Sequence, residues 1–132
     1  MKNSEHGSLH NRNERIFFLY RNYLLEKALN DSAEVIDSEE YNFSEEQKVF
    51  VNKVLKNIEK LENKISLHLP KDWKWERFNI LEKAVILNGT AEILIAENSK
   101  AIVIDESVEF ARKFCGEKSQ PLINGILDKI GE

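Results

Sequence analysis

Ile102-Val103-Ile104-Asp105-Glu106-Ser107-Val108-Glu109-Phe110-Ala111-Arg112-Lys113-Phe114-Cys115-Gly116 leads through Glu117-Lys118-Ser119-Gln120 into Pro121-Leu122-Ile123-Asn124-Gly125-Ile126-Leu127-Asp128. Apolar residues recur here at spacings of three and four, which one face of a helix requires. Ile104, Val108, Ala111 and Cys115 form the expected core stripe of a first helix. Arg112 and Lys113 close it, where cations suit the helix dipole. Gly116 follows the last periodic residue and can take the left-handed conformation that ends a helix. Ser119 is a candidate N-cap for a second helix, with Pro121 in its first turn and Leu122, Ile123, Ile126, Leu127 and Ile130 as its stripe. The decisive stretch is therefore a helical hairpin.

Outward from this hairpin the same period continues. Residues 79–96 begin with Asn79-Ile80-Leu81-Glu82, a capping-box pattern, and are apolar almost all round, as expected of a central helix. The connector 71–78 carries Trp73 and Trp75, which are expected to plug the core. Ser44-Glu45-Glu46-Gln47 opens another helix, expected to run unbroken to Leu69, with Val51, Val54, Leu55, Ile58, Leu61 and Ile65 as its stripe and Pro70 as its stop. The first helix is expected over 11–29. Phe17 and Phe18 widen its apolar surface, so it either packs on two sides or leaves an aromatic patch for a partner. Residues 1–10 are polar and expected to fray. The segment 30–43 is an acidic connecting loop without a Lys or Arg.

The chain has 132 residues, one domain's worth, and is 42% hydrophobic, enough for a buried core in a single all-α domain. The formal net charge of −4 argues against a globally basic nucleic-acid binder and leaves room for a local basic patch. A single cysteine, Cys115, cannot form an intramolecular disulfide and is expected to be a buried structural thiol. No apolar run reaches the length of a membrane helix, and the N-terminus has no signal-peptide core, so a cytoplasmic location is expected. His6, His10 and His68 lack neighbours at metal-ligand spacing. Phosphate loops and nucleophile elbows are missing, so the expectation is no enzyme, no cofactor and no metal. Residues 1–30 hold five bases (Lys2, Arg12, Arg15, Arg21, Lys27) against three acids (Glu5, Glu14, Glu26). Arg12 and Arg15 share a helix face just before Tyr20, so their guanidinium groups could hold phosphate beside a stacking ring. The plain alternative buries Tyr20 in the core.

The run Ile104-Asp105-Glu106-Ser107-Val108-Glu109-Phe110-Ala111-Arg112-Lys113-Phe114, followed by Asn124-Gly125-Ile126-Leu127-Asp128-Lys129-Ile130, resembles the C-terminal signature of the NusB family. The resemblance extends upstream through 81–87 and is weak over the first forty residues. It implies an all-α bundle of about five to seven helices, arranged as two small packed sub-bundles. It also implies an RNA-binding factor of transcription antitermination and termination, active in bacterial ribosomal RNA synthesis. Such a factor would bind boxA-type single-stranded RNA together with the small-subunit ribosomal protein NusE, and would meet other Nus factors and RNA polymerase indirectly. By resemblance, Arg12, Tyr20 and Phe114 fall on the RNA side, with Arg15 and Lys118 added as further RNA candidates. Glu82 and Leu122 fall on the side of the protein partner. Asn124 and Gly125 are expected to be structural, the glycine permitting close helix packing. The family's arginine run is mostly absent, and Arg15 stands where the family has a small alanine. A helical protein-interaction module that keeps the fold and has lost boxA binding is the alternative reading.

Overall fold

The computed structural model describes residues 9–29 and 43–131. The expectations for the extreme N-terminus and for most of the acidic connection lie outside the described residues. Among these residues there are six α-helices and no strand: α1 (Leu9–Leu29), α2 (Glu45–Lys56), α3 (Ile58–Ser66), α4 (Ile80–Leu94), α5 (Lys100–Phe114) and α6 (Ser119–Lys129).

The centre is α4. Every residue from 84 to 92 is buried, and α1, α3, α5 and α6 all pack against it. Its start follows the capping box expected from sequence. The Asn79 side chain accepts from the Glu82 N–H at 2.8 Å, and the Glu82 carboxylate accepts from the Asn79 N–H at 3.2 Å. These two bonds satisfy backbone donors that a helix start otherwise leaves unpaired. Gly89 lets α6 approach closely, because a Cβ there would lie 2.9 Å from Leu127 Cδ1. Gly125 has no such role. It is exposed, as is Asn124, and a Cβ on Gly125 would meet nothing within 4 Å. The packing function expected of Gly125 belongs instead to Gly89.

The helix expected over 45–69 is two helices. Asn57 breaks it with φ −111° and ψ 15°, and its side-chain amide donates to the Lys53 carbonyl at 2.8 Å. A short polar side chain that competes for the backbone in this way turns the chain. The apolar stripe survives the break, since Val51, Val54, Leu61 and Ile65 are all buried. Ser44 caps α2 as expected, accepting from the Gln47 N–H at 3.2 Å.

In α5 the buried stripe sits one residue earlier than its period suggests. Val103, Ser107, Phe110 and Ala111 are buried, while Ile104, Val108 and Cys115 pack at the edge of the core. Leu81 is likewise only partly buried. Gly116 adopts φ +100°, and its N–H reaches the Ala111 carbonyl at 2.9 Å, so the expected left-handed stop is present. In the connector, Trp75 plugs the core as expected, while Trp73 remains 48% exposed.

Candidate nucleic-acid and partner interface

The two opposite faces of α1 have different fates. On the inner face, Arg12 and Arg15 are each 1% exposed. Arg12 grips Glu92 of α4 with both arms, Nε to Oε2 at 2.8 Å and Nη2 to Oε1 at 2.7 Å. Arg15 donates to the same carboxylate at 2.9 Å, to Asn88 Oδ1 at 2.9 Å and to Gln47 Oε1 at 2.7 Å, and its guanidinium lies 4.9 Å from the Phe50 ring centroid. Asn88 and Asn98 also donate to Glu92, at 2.8 and 3.0 Å. Charges removed from water are tolerated only when paired and hydrogen-bonded, and this network meets that condition. Burial alone would push the Glu92 carboxyl up. The hydrogen bond from Arg12 and the fields of both arginines outweigh it and hold the group below the usual glutamate range. Burial draws Arg15 down to about 10 against the pull of Glu92, so it stays charged at neutral pH.

The expected phosphate clamp of Arg12 and Arg15 is therefore corrected: both guanidiniums are core groups and present nothing to a ligand at the surface. The two do share a helix face, but that face points inward. Glu92 is no candidate site residue in the sequence, where it only interrupts an apolar run. Its only signal was a carboxylate within an otherwise apolar helix, where an unpaired charge could not persist.

On the outer side of α1 lie Phe17, Tyr20, Arg21 and Leu24. Tyr20 is half-buried and, with Leu24, lines an open groove of ≈ 440 Å³. Phe114 and Cys115 from the end of α5 line it too, and Phe78, Asn79, Ile80 and Leu81 at the start of α4 complete it. Tyr20 and Phe114, 94 positions apart in the chain, thus share one cleft. Phe114 is 51% exposed and its ring is held edge-on by Phe17 at 5.6 Å. Lys118 is exposed in the α5–α6 turn beyond it. Burial, with the Glu82 charge, pushes the Cys115 thiol up to about 11, so it stays protonated and unreactive at neutral pH.

Beside the groove, Glu82 does more than cap α4. Its other carboxylate oxygen accepts from the Ser119 hydroxyl, tying the first turn of α4 to the first turn of α6. Ser119 is the first residue of α6 rather than the cap before it, and its side chain is buried on this contact. Leu122 follows one turn along, half-buried. Glu82 and Leu122 are therefore brought to the same α4–α6 seam, next to the cleft of Tyr20 and Phe114. Phe17 and Arg21 were not singled out as site residues in the sequence; their exposure on the outer side of α1 is visible only once the buried side is known. Among the described residues no cluster of His, Cys, Asp or Glu could hold a metal ion, and no helix is long and apolar enough to cross a membrane.

The NusB family matches residues 10–132. Among similar proteins is the transcription antitermination protein NusB of Campylobacter hominis, 34% identical over 98 residues, covering 71% of this chain and 74% of that one. The protein of the same name from Clostridium botulinum is 33% identical over 118 residues, covering 80% and 83%. The one from Sulfurovum sp. is 42% identical over 78 residues, and the match spans 59% of each chain. No solved structure matches.

Proposed function

The chain belongs to the NusB family, and on that premise we propose that it acts as a transcription antitermination factor, binding boxA-type single-stranded RNA in company with a NusE-type ribosomal protein in the cytoplasm. Other Nus factors and RNA polymerase are then indirect partners, and the chain itself catalyses nothing. The observation that carries this reading is the convergence of Tyr20 and Phe114 in one open cleft beside the Glu82–Leu122 seam. Single strands are bound by aromatic rings that stack unpaired bases and by cations that hold phosphates. A half-buried Tyr20, an exposed Phe114 and a free-standing Lys118 supply such groups. The α4–α6 seam, a carboxylate flanked by apolar Leu122, supplies a surface for a protein partner. RNA and protein would then lie side by side, and each would improve the binding of the other.

The second reading, a protein-interaction module that no longer binds boxA, is favoured by one observation: Arg12 and Arg15 are internalised. Titrating boxA-type RNA with and without the NusE-type protein over a salt series separates the two. The RNA-binding reading expects binding that tightens with the protein partner and weakens with salt, by a slope of about 0.7 per phosphate contacted. Binding of the ribosomal protein with no affinity for RNA under any salt condition would leave only the second reading.

A further inference from the structure

Phe17 and Phe114 stand out from the other exposed apolar residues because they touch each other. Their rings meet at 5.6 Å and 83°, and both rest on Phe110, at 5.3 Å from Phe17 and 4.7 Å from Phe114. Phe110 is buried, so the pair stands on a fixed floor and binding need not order it. Arg21 lies one turn beyond Phe17 on α1, about 6 Å along the axis and about 40° round the helix. It is exposed and makes no ion pair among the described residues. Lys113 precedes Phe114 on α5 and lies 4.0 Å from Glu109, and Lys118 is exposed in the turn that follows. The acids close in chain or fold are Glu14 on α1, Glu109 and Glu117 to either side of Phe114, and Glu82, whose charge acts on Cys115. Glu109 is taken up by Arg112 and Lys113.

We infer that Phe17 and Phe114 form a base-stacking platform for single-stranded RNA, and that Arg21 makes the phosphate contact on α1 that the internalised Arg12 and Arg15 cannot make. This rests on the RNA-binding reading above and extends it to two residues that the family resemblance does not supply. Arg21 carries a charge that no acid among the described residues takes up, while Glu109 is held by Arg112 and Glu82 by Ser119, so an anionic strand suits this face better than an acidic or neutral peptide. Stacked bases tolerate any sequence, so the platform contributes affinity, while sequence is read elsewhere.

The test is titration of the full chain with a single-stranded boxA-type RNA oligonucleotide, alone and with the NusE-type protein, over a salt series. Phe17→Leu keeps apolar packing and removes the ring; it is expected to weaken binding roughly 5- to 150-fold, the effect of losing one stacked base. Phe17→Tyr is expected to keep wild-type affinity. Arg21→Gln is expected to flatten the salt slope by about 0.7, and Arg21→Lys to restore it. Melting curves accompany each variant, and if Phe17→Leu fails to fold, the Arg21 pair decides. Wild-type binding that survives unchanged in both Phe17→Leu and Arg21→Gln overturns the platform and leaves the RNA reading standing. Loss of affinity for the ribosomal protein in place of RNA also overturns it, assigning the rings to protein docking. A wild-type chain that binds no RNA in either setting overturns platform and RNA reading together.

Discussion

On α1, two arginines face inward to Glu92 and one, Arg21, faces out beside Phe17. The same side chain does opposite work on the two sides of one helix. Inside, its charge is balanced by a carboxylate, and its arms hold α1 to α4. Outside, its charge is unspent and available to a ligand. The inner side should therefore answer to mutation with loss of fold, and the outer side with loss of binding. What decides between them is whether an acid on another helix reaches the group.

The largest effect is expected where that balance is broken. Glu92→Gln leaves two buried guanidiniums without their counter-ion and should cost about 3–5 kcal/mol in urea unfolding. Acid tests the same group. Its carboxyl titrates lower in the folded state than in the unfolded chain, so its stabilisation is present above the ordinary glutamate range and lost as pH falls through the lowered value. Wild-type stability should decline in that window, and Glu92→Gln should be flatter there. Survival of Glu92→Gln at wild-type stability would mean that the inner face is not held by this network.

Next in size is Arg15→Met, which fills similar volume without charge. Arg12 still pairs Glu92, but Asn88 and Gln47 each lose a donor. A cost of about 1–3 kcal/mol is expected from the urea midpoint. A gain in stability would show that a hydrophobic side chain serves this position better, as replaced buried ion pairs sometimes do.

Glu82→Gln tests the seam between the faces. Glutamine can still close the capping box on Asn79 with its one carbonyl oxygen, and its amide can then donate to the Ser119 hydroxyl in place of accepting from it, so the melting temperature should change little, by less than about 1 kcal/mol in stability. If the carboxylate contacts the NusE-type partner, affinity for that partner should fall in a pull-down or by calorimetry. Equal affinity would leave Glu82 only its cap and its tie to α6.

The smallest stability effect belongs to Lys118→Ala, within about 0.5 kcal/mol, as for exposed positions generally. On the outer face the readout moves to RNA, where its removal should lower affinity at low salt and flatten the salt slope. A folded Lys118→Ala with unchanged RNA binding would take this residue out of the interface.

Much of this architecture could be read from sequence where the signal is local. Asn79 and Glu82 lie three residues apart and act on each other, so the start of α4 was legible. Gly116 was legible for the same reason, because only the next turn of chain is involved. The break at Asn57 was not, since an apolar stripe at helical period runs straight through it. The arginines failed for a different reason: the partner of Arg12 is 80 positions away, and the spacing of residues within α1 shows which side chains share a face but not which way that face points. The register of α5 failed similarly, because that helix packs against both α4 and α6, and its buried side is set by the two together. In the candidate site, Tyr20, Phe114, Glu82 and Leu122 came from the family resemblance, and the cleft gathers Tyr20 with Phe114; Phe17 and Arg21 needed the three-dimensional arrangement.

The central place of α4 also sets a timetable for opening. A helix in contact with α1, α3, α5 and α6 cannot release its backbone amides to solvent unless those neighbours separate too. Amides of residues 84–92 should thus exchange with deuterium only through global unfolding, and report the full free energy of the fold. The α2–α3 pair meets at a residue whose own side chain already competes for the helix backbone, and it has a cheaper way to open. Exchange around Asn57 should run ahead of that in α4, marking this elbow as a part of the molecule that opens before its centre.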